Sequence, residues 1–190
     1  MAVISDAYKH QLQTMHEERT AGGRKWGTTG ARNFGDYICK FLEHRRGQIV
    51  TVLDFGAGQG SLGEYVQQYA VDVEVKWKDY DPGKGDKPPE GKFDLIVSSD
   101  VLEHVEPEEI DNVIEWLDVH ATKAQFHHIA CDPCGLILPD GRNAHLITEK
   151  LDWWLKKFAD PNWALMYSAQ CTVKKRSMLR DHCHIQLDKV

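Results

Sequence analysis

The chain has 190 residues, 42% of them hydrophobic and 27% charged, with a net charge of −6; this suits one globular domain with a substantial core. A pI near 5.9 excludes the broad basic face that sequence-independent nucleic-acid binding needs, although a local patch could still hold a nucleic-acid substrate. No apolar run reaches bilayer-spanning length, the N-terminus lacks a signal pattern, and five cysteines read as reduced thiols, so the expectation is a cytoplasmic protein that does not enter the membrane.

Asp6 to Arg19 carries Leu12 and Met15 among polar residues and predicts a surface helix with a narrow apolar stripe. Gly22 to Gly30 reads as a loop with one aromatic, Trp26. A helix over Ala31 to Arg46 aligns Phe34, Ile38, Phe41 and Leu42 and stops at Gly47. Residues 1–47 thus form a helical cap segment, and 48–190 an α/β core of the same domain. The core reads as strand Ile49–Asp54, helix Ser61–Tyr69, strand Val71–Asp81, strand Phe93–Ser98, helix Glu108–His120, strand Gln125–Ala130, helix Thr148–Phe158, and strands Trp163–Val173 and His182–Leu187. Alternating strands and helices imply an α/β sandwich with a mainly parallel sheet. The last two strands lack an intervening helix and predict an antiparallel hairpin.

The stretch Val52-Leu53-Asp54-Phe55-Gly56-Ala57-Gly58-Gln59-Gly60 is the most informative. An apolar strand enters a glycine-rich turn, where the backbone can approach a ligand closely. The following helix offers its N-terminal end to a negative group. Asp54 at the mouth suits an ammonium-bearing ligand and would repel a pyrophosphate. Gly58, Gly60 and Gly63 also satisfy the dinucleotide pattern G-x-G-x-x-G, but the strand ends near Asp54, so Gly56 opens the turn and the register is wrong.

This order of elements resembles the class I S-adenosylmethionine-dependent methyltransferase family. Asp79-Tyr80-Asp81-Pro82 closes the second strand, where the family places an acidic residue on the cofactor ribose. Phe93 to Val105, with its ending D-V-L-E-H-V, is similar to the family's fourth motif. The likeness is good over about Ile49–Leu117 and elsewhere rests on element order. It implies a Rossmann-like three-layer α/β/α sandwich with S-adenosyl-L-methionine as cofactor. It assigns Asp54, Gly56, Gly58 and Gly60 to the cofactor turn, Asp81 (less favoured, Asp79) to the ribose, and Ser99 and Asp100 to the methionine part.

The sequence departs from the family between Asp81 and Phe93. Eleven residues rich in Gly and Pro cannot hold a helix and a further strand. The usual third strand is therefore expected to be missing, with the second strand left as an edge. The family's acidic residue against adenine follows that strand, and Asp86 is the available substitute for it.

Leu138 to Leu146 packs Asp140, Arg142, Asn143 and His145 around Gly141 after the fourth counted strand, at the sheet edge where ligands bind in open α/β folds. His145 is the first candidate general base, with His104 a second and Asp140 a supporting carboxylate. Arg142 and Asn143, with Trp26, are candidate substrate contacts. The bland alternative is an ordinary Asp-Gly turn with local pairing. Methyl transfer needs little beyond alignment, so a dedicated base is not required. Trp153 and Trp154 are candidate pocket walls, one of them more naturally core.

No metal ligand is assigned. Cys131 and Cys134 with His182 or His184 would become neighbours in an antiparallel pairing and could offer tetrahedral ligands; buried free thiols and a solvated His face are favoured instead, because alternation sends Cys183 to the opposite face. No Asn/Asp-Pro-Pro-Tyr/Phe motif or Pro-Cys nucleophile follows the Phe93 strand, which disfavours base methylation by those routes.

The leading reading is methyl transfer to an oxygen or nitrogen of a small polar acceptor, in a pocket formed by the segment around Trp26 and the Asp140–His145 loop. The rivals are methylation of a nucleotide or exposed nucleic-acid base, anchored by Arg24, Lys25 and the Lys174-Lys175-Arg176 cluster; a nicotinamide-dependent oxidoreductase; and an idle cofactor-binding subunit. The oligomeric state is left open.

Overall fold

The structure, a computed structural model, describes residues 4–23, 31–175 and 178–190, with the backbone alone at 19, 31–33, 173–175, 178 and 179. Trp26, Arg24, Lys25 and Arg176, and the side chains of Lys174 and Lys175, lie outside the described parts.

Six strands form one sheet: β1 (Ile49–Phe55), β2 (Glu74–Tyr80), β3 (Phe93–Ser99), β4 (Ala121–Ala130), β5 (Trp163–Lys175) and β6 (Met178–Lys189). Their order is β2-β1-β3-β4-β6-β5. The first four run parallel, and β6 pairs antiparallel with both β4 and β5. The expected hairpin is present, and β2 is an edge strand with no further strand outside it among the described residues. The segment after β2 contains only a three-residue 3₁₀ turn, Pro82–Lys84, which leaves no length for the missing crossover.

The helices are α1 (Asp6–Ala21), α2 (Ala31–Glu43), α3 (Ser61–Tyr69), α4 (Ile110–His120) and α5 (Leu151–Lys157). Period-two alternation on β1 sends Val50 and Val52 to one face and Leu53 and Phe55 to the other. The first face packs on Phe34, Ile38 and Leu42 of α2 and Leu62 and Val66 of α3. The second packs on Ile110, Val113, Trp116 and Leu117 of α4 and Trp154 of α5. Because both faces are covered, the central strands read as continuous apolar runs.

Two expectations are corrected here. The α1 helix is not a mere surface element: Ile4 and Tyr8 are buried with Leu138 and Ala144, and Leu12 and Met15 pack against them. Ser5 caps the helix by accepting the Tyr8 N–H, and its own N–H and hydroxyl donate to the Glu106 carboxylate. The strand β4 begins at Ala121, four residues before the expected Gln125, directly after α4. The Thr122 hydroxyl, donating to the Phe93 carbonyl, holds this polar start of the strand against β3.

Candidate functional site

A cavity of about 550 Å³ opens at the carboxyl ends of β1, β2, β3 and β4. Its walls are the Asp54–Gly58 turn, Asp81–Gly83, Ser99–Val101 and His104, the residues Asp132, Cys134, Gly135, Leu136 and His145, and the α1 residues Tyr8, Leu12, Met15 and His16. The site thus forms where parallel strand ends converge, as in other open α/β sheets, and α1 roofs it.

The glycine turn is built for close approach. Gly56, Gly58 and Gly60 have φ of 78°, 54° and 78°, the left-handed region that favours glycine. A Cβ on Gly56 would lie 2.3 Å from the Val101 side chain. Gly63 serves a different purpose: a Cβ there would meet the Trp77 indole at 2.4 Å, so this glycine seats α3 on β2. The dinucleotide pattern therefore mixes a turn with a packing contact.

Two carboxylates border the turn. Asp54 is 3% exposed, and its Oδ2 has no hydrogen-bond partner. Burial, then the neighbouring Asp79 and Asp81, raise its pKa well above the ordinary carboxylate value. Asp81 accepts the Gly58 N–H at 2.9 Å and the Gly83 N–H at 2.8 Å. Burial raises its pKa, against the lowering effect of these hydrogen bonds and of Lys84. Asp81 lines the cavity, whereas Asp79 accepts from the Trp77 indole outside it. Asp86 accepts the Asp81 N–H and is not a cavity wall, so it is not placed to take over the adenine.

At the end of β3, Ser99 and Asp100 line the cavity. Asp100 has φ 56° and sits 3.2 Å from His128 Nδ1 and 3.8 Å from His182 Nδ1. Burial raises its pKa, but the hydrogen bond and charge of His128 and the charge of His182 outweigh this and lower it.

His104 and His145 both border the cavity, their rings edge-on with centroids 4.7 Å apart. His104 Nδ1 lies 2.7 Å from the Ala144 carbonyl, and His145 Nδ1 lies 2.6 Å from the Asp132 carbonyl. Behind them Glu103, fully buried, stands 4.0 Å from His145 Nε2. Cys134 also borders the cavity; burial raises its thiol pKa, but the hydrogen bond with His145 helps bring it down to about 7.

The other candidates fall elsewhere. Asp140 and Arg142 form an exposed ion pair, Oδ2 to NH2 at 2.7 Å, and neither lines the cavity; Arg142 holds the Asp140 carboxyl well below its usual range. Asn143 is a clamp within its own segment: its Oδ1 accepts from the N–H groups of Cys134 (3.1 Å) and His145 (2.9 Å), and its Nδ2 donates to the Cys134 carbonyl (2.8 Å). Trp154 is wholly core and Trp153 packs beside it, so neither walls the pocket. Cys131 sits in the core beside Cys183, on the opposite sheet face from His182, so the less favoured Cys/His grouping does not assemble. Residue-by-residue reading missed Glu103, adjacent to a named candidate, and Tyr8, whose burial depends on a loop far along the chain.

No protein-family model matches the sequence, and no curated sequence matches it significantly. By structure, the chain is similar to a magnesium protoporphyrin IX methyltransferase from Synechocystis PCC 6803 with bound S-adenosylhomocysteine, at 18% identity and TM-score 0.56 over 85% of this chain and 84% of that one. It is also similar to the 1,6-didemethyltoxoflavin-N1-methyltransferase of Burkholderia thailandensis, with 14% identity, TM-score 0.62 and 97% and 89% coverage. A third likeness is to an S-adenosylmethionine-dependent methyltransferase from Clostridium acetobutylicum, with 10% identity, TM-score 0.55 and 95% and 98% coverage. At such identities the likeness shows the fold: the chain has the fold of the class I S-adenosylmethionine-dependent methyltransferases. Among the described residues no helix is long and apolar enough to cross a membrane.

Proposed function

We propose that the protein transfers a methyl group from S-adenosyl-L-methionine to an oxygen or nitrogen of a small polar acceptor. The observation that carries this reading is Asp54. A buried carboxylate oxygen without a partner stands beside a glycine turn too tight for any side chain, inside a cavity of ligand size. A cationic ligand supplies what that oxygen lacks; a pyrophosphate does not. These residues fit the cofactor and would hold it: Asp54 at its positively charged ammonium, the Gly56–Gly60 turn through its own backbone, Asp81 at the ribose, and Ser99 and Asp100 at the methionine part.

The three solved relatives named above support methyl transfer, two of them by names that specify small-molecule acceptors. The acceptor would lie under α1, against His104 and His145, which can position it and take its proton. Alignment of acceptor and methyl group is the main requirement. Arg142 and Asn143 act at one remove, by shaping the segment that carries His145. A single domain suffices for this chemistry, since cap and core share one cavity.

The experiment is turnover: conversion of S-adenosylmethionine to S-adenosylhomocysteine, followed by mass spectrometry against panels of polar hydroxyl and amine acceptors. Acceptor-dependent product that falls in Asp81→Ala at cofactor concentrations below saturation supports the reading. Cofactor binding without product for any acceptor class favours an idle binding subunit.

A further inference from the structure

Glu103, His104 and His145 form an arrangement that methyl transfer does not require. One carboxylate oxygen and one nitrogen from each ring lie within 4.8 Å of one another. Each imidazole has its Nδ1 against a backbone carbonyl, at 2.7 Å for His104 and 2.6 Å for His145. A carbonyl only accepts, so each Nδ1 must carry the hydrogen, and a neutral ring then holds its lone pair on Nε2. Glu103 is fully buried, and neither of its oxygens has a hydrogen-bond partner of ordinary geometry, although the N–H groups of Glu103 itself and Ala130 approach. Two nitrogen lone pairs and a buried carboxyl group without a hydrogen-bond partner of ordinary geometry therefore face one another, and a positive centre, either a proton on the His145–Glu103 pair or a metal ion, joins them.

We propose that Glu103, His104 and His145 bind a divalent transition-metal ion of the zinc type, with its open coordination positions facing the cavity.

Two imidazoles and one carboxylate, with room for a further ligand, are a donor set that zinc and its neighbours favour in sites that bind substrate. The carbonyl contacts of the two rings are the outer-shell bonds that metal-ligating histidines usually make. The ligands are also held in place beforehand. Ile147 N–H donates to the Glu103 carbonyl at 3.0 Å, tying the His145 segment to the Glu103–His104 turn, and Asn143 fixes the His145 N–H. Asp100 adds negative charge close to Glu103. Because His104 and His145 border the cavity and Glu103 stands behind them, the ion's free positions face the acceptor space. There it would receive an acceptor oxygen and acidify its hydroxyl, the proton passing to water in the open cavity because the two ring lone pairs are engaged by the ion; this consequence, unlike the metal site itself, replaces the histidines' role as base, rests on the methyltransferase reading and selects hydroxyl acceptors over amines.

The test uses protein stripped with a chelator and titrated with Co²⁺ as a spectroscopic stand-in for Zn²⁺, followed by Zn²⁺ competition. The expected result is one equivalent per chain, with visible d–d bands that Zn²⁺ abolishes. Glu103→Gln and His145→Gln should each weaken binding by more than about 100-fold, beyond the loss of an outer-shell partner. His128→Gln, at the separate Asp100 cluster, should leave it unchanged. S-adenosylhomocysteine titration of the same variants reports whether they remain folded, and its failure in the wild type would count against the methyltransferase reading without touching the metal result. The absence of stoichiometric uptake by the wild type, or uptake that survives both substitutions, would overturn the proposal; the cluster would then be held by a proton shared between His145 and Glu103.

Discussion

The Asp81 carboxylate accepts the Gly58 N–H at 2.9 Å, so the end of β2 and the glycine turn after β1 are one rigid unit. A ligand ribose at Asp81 therefore meets a carboxylate already fixed in place. Asp81→Ala should reduce S-adenosylhomocysteine affinity by about 10- to 100-fold, the worth of hydrogen bonds to a charged group. Calorimetric titration of the folded variant reads this directly.

Gly56 faces Val101 across the turn. Gly56→Ala brings a left-handed residue, costing about 1–2 kcal/mol, and a clash with Val101 that adds about 1–3 kcal/mol. Adding Val101→Ala should recover the clash but not the backbone strain. Urea unfolding of the two single variants and the double variant separates these contributions as a double-mutant cycle.

His127 is buried between Ser98 and Gln125, stacked on Phe158. Burial lowers its pKa from 6.5 to about 3. The unfolded chain therefore binds a proton there that the folded chain refuses, and stability falls as pH drops from 6.5 toward 3. His127→Gln should remove up to about 1.4 kcal/mol per pH unit of that slope. Urea unfolding at several pH values, from neutral down to the acid side of the ordinary histidine pKa, checks this.

Asn143 holds both Cys134 and His145 through three hydrogen bonds. Asn143→Ala leaves partly buried backbone groups unpaired and should cost about 1–3 kcal/mol of stability. Because the clamp carries His145 and not the glycine turn, turnover should fall while S-adenosylhomocysteine affinity holds within about twofold, inside the additivity expected of separate sites. Parallel kinetic and binding assays distinguish this from a direct cofactor contact.

The sheet and the glycine turn after β1 were legible in the sequence for local reasons. Val50 to Phe55 alternates onto two covered faces, and glycines at positive φ announce a turn that no other residue fits. The missing crossover after Asp81 was legible from length alone. The roof of the site was not: Tyr8 is buried by Leu138 and Ala144, far along the chain, and nothing in the pattern of α1 announces that partner. Nor was the division of labour in the Asp140–His145 stretch. Asp140, Arg142 and Asn143 look like substrate contacts by chemistry, yet two of them pair outside the cavity and the third binds its own segment. Glu103 was hidden because a carboxylate next to a histidine is ordinary on a surface; only tertiary burial makes it exceptional.

In the proposed function, Asp54 and the glycine turn hold S-adenosylmethionine. The most direct measurement is titration calorimetry of S-adenosylmethionine, S-adenosylhomocysteine and NADH against wild type and Asp54→Ala, in buffers of differing ionisation enthalpy. Asp54 has a raised pKa, and a bound cation would lower it, so binding should release protons and tighten as pH rises. The expected result is saturable binding of the first two ligands with proton release, both abolished in Asp54→Ala, and no binding of NADH. Binding of NADH alone, or S-adenosylmethionine binding indifferent to Asp54, would contradict it.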